Sequence, residues 1–145
     1  MQTLVELEGT KWSGSAELWL DPLGDTVVRS SCTLSVQSQA LRYTWSHECI
    51  VHEGEIALTD GGASFTDTWH QPTPMICRYL ADRRSLLRVE GVYGSQSDWG
   101  WRINLSFRVP TDELVLQMTN VAPWGEEARA VRMTCRCVNA SSEAA

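Results

Sequence analysis

Between residues 99 and 109 the chain alternates: Trp99, Trp101, Ile103, Leu105, Phe107 and Val109 fall on one parity, Gly100, Arg102, Asn104, Ser106 and Arg108 on the other. A period of two is the signature of a strand with one buried face. The same logic continues in Leu114, Leu116 and Met118, and again in Val131, Met133, Cys135 and Cys137. Earlier, Val28, Cys32, Leu34 and Val36 share a face, as do Leu41, Tyr43, Trp45, His47 and Cys49. No stretch after residue 12 sustains a 3.6-residue period. Turn-forming clusters recur instead, at Asp21–Asp25, Gln37–Gln39, His52–Gly54, Asp60–Gly62, Gln71–Pro74, Asp82–Arg83, Gly94–Asp98, Pro110–Asp112 and Ala122–Gly125. The segments between them run to roughly eight to twelve residues, the spacing of an all-β sandwich or barrel.

The pattern predicts about ten strands, near 11–20, 26–37, 40–50, 54–60, 63–70, 75–81, 85–94, 99–109, 113–121 and 128–138. Short turns between consecutive strands make an antiparallel meander the economical topology, and a meander this long removes its edges by closing. The expected fold is therefore all-β: one closed barrel over residues 1–139, with residues 1–10 as a short cap and 140–145 as a disordered tail. A barrel of eight or more strands holds a small ligand if its own side chains do not fill it.

Composition narrows the partners. The chain has 145 residues, a formal net charge of −6 and basic residues that are scattered, which argues against nucleic acid and anionic membrane surfaces. The N-terminal residues lack a basic, then apolar, export pattern, and the five cysteines are odd in number and irregular in spacing, so a cytoplasmic protein with reduced thiols is expected. Seven tryptophans are well above average usage for a chain this long.

Gly9 followed by Trp12 at the start of the first strand resembles the Gly and Trp pair that opens calycin barrels: lipocalins, fatty-acid-binding proteins and nitrobindin-like proteins. Two residues, Thr10 and Lys11, separate the pair here, where the usual opening has one. Asp67-Thr-Trp-His70, Gly91-Val-Tyr-Gly94, Trp99-Gly-Trp-Arg-Ile103 and the run from Met118 to Val131 resemble a bacterial branch of lipocalin-like proteins of unknown function. The likeness spans nearly the whole chain and implies the barrel fold but little about activity. Nitrobindin-like relatives bind haem through a late histidine, whereas the last histidine here is His70, so no haem and no other cofactor is expected.

Candidate chemistry follows from what shares the inward parity. Trp12, Trp45 and Trp101 read first as core, since a buried indole removes about 150–250 Å² from water. Tyr43, His47, Asp67, Tyr93 and Asn120 lie in register with them, and buried polar groups need a partner in the protein, in water or in a ligand. Trp69, His70, Tyr93, Trp99 and Trp101 all approach turns and so gather near one mouth. The ligand-binding set expected is thus Tyr43, His47, Asp67, Trp69, His70, Tyr93, Trp99, Trp101 and Asn120, around a small, partly apolar molecule. Arg102 is expected outward unless a bulge at Gly100 reverses the parity.

No Gly-x-Ser-x-Gly elbow, phosphate-cradling loop or paired CxC motif is present, so no catalytic or metal residue is assigned. His47, Glu48 and His52 are not forced together by spacing. Two rival readings remain: a packed barrel acting as a homodimer or protein scaffold through an exposed Trp19 or Trp124, and a weak acid–base enzyme using His47 or His70 with Asp67.

Overall fold

The computed structural model describes residues 3–21, 23–96 and 98–138; the expected tail at 140–145 lies outside them. Ten strands follow one another: β1 (Lys11–Leu18), β2 (Val28–Gln37), β3 (Ala40–His47), β4 (Ile50–Thr59), β5 (Gly62–Asp67), β6 (Gln71–Tyr79), β7 (Leu87–Tyr93), β8 (Trp99–Arg108), β9 (Glu113–Val121) and β10 (Glu127–Cys137). Each pairs antiparallel with its sequence neighbour, and β1 pairs with β10, so the expected meander closes into a single all-β barrel. This closed antiparallel architecture is consistent with a calycin-like fold. Among the described residues no helix is long and apolar enough to cross a membrane.

Period two translates directly into burial. Trp101, Ile103 and Leu105 are buried along β8 while Arg102 is exposed, and β8 keeps unbroken register with β7 and β9 through Gly100. The bulge that would have reversed Trp101 and Arg102 is not there. Arg102 instead pairs outside with Glu90, 3.5 Å away, and with Glu127. Trp45, Tyr43, Phe65, Leu18, Leu34, Leu41 and Ile56 are fully buried in the barrel interior.

Two turns fall elsewhere than the sequence suggests. His52–Gly54 is not a turn: β3 and β4 are joined at Glu48 and Cys49, which take positive φ of 50° and 65°. That is the geometry a two-residue hairpin demands, met here without the Gly or Asn that usually announces it. Gly54 lies inside β4 because the Tyr43 ring crosses it; a Cβ there would sit 2.0 Å from Tyr43 Cζ. Gln71–Pro74 is likewise strand, and the real turn is Thr68–His70. Pro72 and Pro74 occupy the half of β6 that has no β7 partner, since that pairing covers only Cys77, Arg78 and Tyr79.

One end of the barrel is shut. Residues Val5–Leu7 form a 3₁₀ turn started by a reciprocal pair, Thr3 with Glu6, and Leu7 is buried beneath it. Gly9 N–H donates to Val36 O at 2.8 Å, which ties the cap to β2. Beneath it Trp12 meets Phe107 edge to face at 6.2 Å, and its indole N–H donates to Thr10 Oγ1 at 2.8 Å. Higher in the wall, Cys32 of β2 and Cys135 of β10 face each other with sulfurs 3.4 Å apart. All five cysteines are free.

Candidate functional site

The opposite end is built upward from Asp67, the last residue of β5, whose inward parity leaves it 1% exposed. Its Oδ1 accepts the backbone N–H of Trp69 (2.8 Å) and of His70 (2.9 Å), folding the β5–β6 turn around the carboxylate as an Asx turn does. Its Oδ2 accepts the Tyr43 hydroxyl at 2.6 Å and the Trp45 indole N–H at 3.3 Å. His70 Nδ1 stands 3.3 Å from Oδ1, within ion-pairing range. Burial pushes this carboxyl up, but His70 and the Tyr43 hydroxyl outweigh it and hold Asp67 down at about 2. The Tyr43 hydroxyl is raised well above its ordinary value, by burial and then by the charge of Asp67, so it stays a donor.

Above this anchor lies a layer of aromatic rings. Trp101 stacks on Tyr93 (6.1 Å between centroids) and meets His70 (5.6 Å) and Phe65 (6.3 Å) near right angles. Asn120 reaches across from β9, donating to the Tyr93 hydroxyl at 2.7 Å and to Gly100 O at 3.1 Å. Over the layer opens a cavity of about 140 Å³, lined by Trp19, Leu20, Asp21, Trp69, His70, Tyr93, Trp101, Asn120, Ala128, Arg129 and Ala130. In this lining, Trp19 Nε1, Trp101 Nε1 and both ring nitrogens of His70 are buried without a hydrogen-bond partner, Nδ1 having only its 3.3 Å ionic contact with Asp67.

Five of the nine residues expected from sequence therefore line one cavity: Trp69, His70, Tyr93, Trp101 and Asn120. Tyr43 and Asp67 lie directly below, holding the β5–β6 turn. His47 and Trp99 fall outside the lining. His47 is half-buried, packs edge-on against Trp69 at 5.7 Å and sits 3.7 Å from Glu48; Trp99 packs against Trp124 at 5.6 Å. Of the two histidines considered for work with Asp67, only His70 is paired with it. Among the described residues no group of three or more His, Cys, Asp or Glu is placed to hold a metal ion.

Trp19 was expected at the surface and is instead 8% exposed, while Trp124 is 70% exposed as expected. Trp19 lies just past the end of β1, where strand parity no longer applies. Its backbone N–H donates to Ala130 O at 3.0 Å, and the Arg129 guanidinium covers its ring at 4.6 Å. The β9–β10 register shifts between Arg129 and Val131, and this bulge brings Ala128, Arg129 and Ala130 over the mouth. Alternation alone carries no signal for a bulge, so these residues and Trp19 escape a reading by parity.

A larger groove, about 590 Å³, crosses the outer wall over β5 to β8, where Gly62, Gly91 and Gly100 leave the sheet bare beside Ile76 and Val92. Its two arginines are already paired, Arg78 and Arg102 with Glu90. The smaller cavity has the unmatched chemistry. Comparison of the sequence with protein-family models and with curated proteins finds no match.

Proposed function

We propose that the protein binds a small, partly apolar molecule in the cavity at the open end of the barrel, as a lipocalin-like binding protein of the kind its sequence motifs resemble. One observation carries this reading: three side chains lining a single cavity each bury a ring nitrogen with no partner in the protein. A buried polar group left unpaired costs about 1–3 kcal/mol, so three converging on one space call for an occupant. Aromatic walls with a few polar atoms are the usual composition of a small-molecule site. Native mass spectrometry of gently purified protein tests it. A retained mass that disappears on denaturation is expected; a bare chain that also binds nothing from a library of single-ring compounds overturns the proposal.

The 3.3 Å contact of His70 with Asp67 favours a second reading, in which His70 moves a proton on the bound molecule. A turnover abolished in His70→Gln, with binding retained, is its expected mark; binding without any turnover rejects it.

A further inference from the structure

Resting on that reading, we propose that the occupant is a single-ring aromatic carboxylate. The unpartnered groups lean to one chemistry. An indole nitrogen only donates, and Trp19 and Trp101 supply two such donors. The Tyr93 hydroxyl already accepts from Asn120 Nδ2, which leaves its own proton to give. Arg129 lies over the Trp19 ring at the rim and pairs with no carboxylate among the described residues. The one acid in the lining, Asp21, is taken by its own turn: Oδ2 accepts Asp25 N–H at 2.9 Å and Oδ1 accepts Thr26 N–H at 3.0 Å. Deeper down, both oxygens of Asp67 are filled. His70 Nε2 is the exception, since it accepts when the ring is neutral and donates when the ring is charged.

Several donors and a guanidinium around one space call for an acceptor-rich anion, and a carboxylate offers two oxygens with about four lone-pair sites. Size sets the rest of the molecule. About 140 Å³ is well below the about 300–1,000 Å³ of sites for drug-sized ligands, and the barrel beneath is filled by Tyr43, Trp45 and Phe65, so a long acyl chain has nowhere to extend. The faces of Trp69, Tyr93 and Trp101 favour a flat ring by stacked or edge-on contact.

Titration of indole fluorescence with benzoate, benzyl alcohol and acetate tests both halves of the proposal, on the natural protein, Trp101→Phe and Arg129→Gln. Benzoate is expected to bind at least about ten-fold tighter than either control, and each substitution to weaken benzoate about ten-fold while changing benzyl alcohol less than about three-fold. Arg129 is exposed, so its variant stays informative if Trp101→Phe proves poorly folded by circular dichroism. Benzyl alcohol binding as tightly as benzoate overturns the carboxylate and leaves the binding site standing. Acetate matching benzoate overturns the ring. Failure of all three probes overturns this ligand class, while a retained small molecule of other chemistry in the native mass spectrum keeps the site itself.

Discussion

The two ends of the barrel are made from the same residue type and finished differently. At the shut end Trp12 packs on Phe107 and its N–H is taken by Thr10, itself tied to Leu7 O at 2.5 Å. At the open end Trp19 and Trp101 are as deeply buried, yet their N–H groups have no partner. Burial alone does not separate a structural tryptophan from one that faces a ligand. The fate of the indole proton does, because folding selects against unpaired buried donors unless something outside the chain completes them. Trp45 stands between the two ends: its N–H is satisfied, by Asp67.

Asp67 is what keeps the open end in shape, so the sharpest way to break the contrast is to remove it. Asp67→Ala strands the Tyr43 hydroxyl, the Trp45 indole and the two turn amides, an expected loss of about 4 kcal/mol in urea unfolding at neutral pH. The same residue sets an acid limit. Its carboxyl is held at about 2 in the folded chain against an ordinary value of 3.8, so its contribution is fully present above about pH 4 and is lost as pH falls toward 2. At 1.36 kcal/mol per unit that is about 2 kcal/mol, and the acid limb it produces is expected to flatten in Asp67→Ala. An unchanged acid limb in the variant would assign the effect to other carboxylates.

Much of this was legible in the alternation. Strand number and closure follow from the spacing of the turns, and the inward set Tyr43, Asp67, Tyr93, Trp101 and Asn120 from a period of two, because side chains of a pleated strand have only two directions to take. What escaped it lies where that rule lapses. Trp19 is past the end of its strand, Arg129 is at a bulge, and the Glu48–Cys49 turn uses positive φ without glycine. Gly54 and the Pro72–Pro74 segment misled in the opposite direction. Both look like turn residues, whereas one makes room for the Tyr43 ring and the other lies along an unpaired stretch of β6. Tyr93, Trp101 and Asn120 thus came to the cavity from regular strands and Trp69 and His70 from the turn that ends β5, and all five were readable, while the rest of the rim came from beyond β1 and from the β10 bulge and was not.

The smallest effect is also the most direct comparison of the two ends. Trp12→Phe and Trp101→Phe remove the same atoms from similarly buried sites, 4% exposed in each case, so their losses of apolar contact are similar. Only Trp12→Phe also removes a satisfied hydrogen bond, worth about 1 kcal/mol net; Trp101→Phe removes a donor that had no partner. In the ligand-free protein Trp12→Phe is therefore expected to be the more destabilising by about 1–2 kcal/mol in chemical denaturation. Saturating ligand should narrow or reverse that order, since binding stabilises the natural protein and Trp12→Phe but is weakened in Trp101→Phe. Equal losses without ligand would mean that the Trp101 proton is already satisfied, by ordered water in the cavity, and would remove one of the three side chains with an unpartnered ring nitrogen on which the binding site rests.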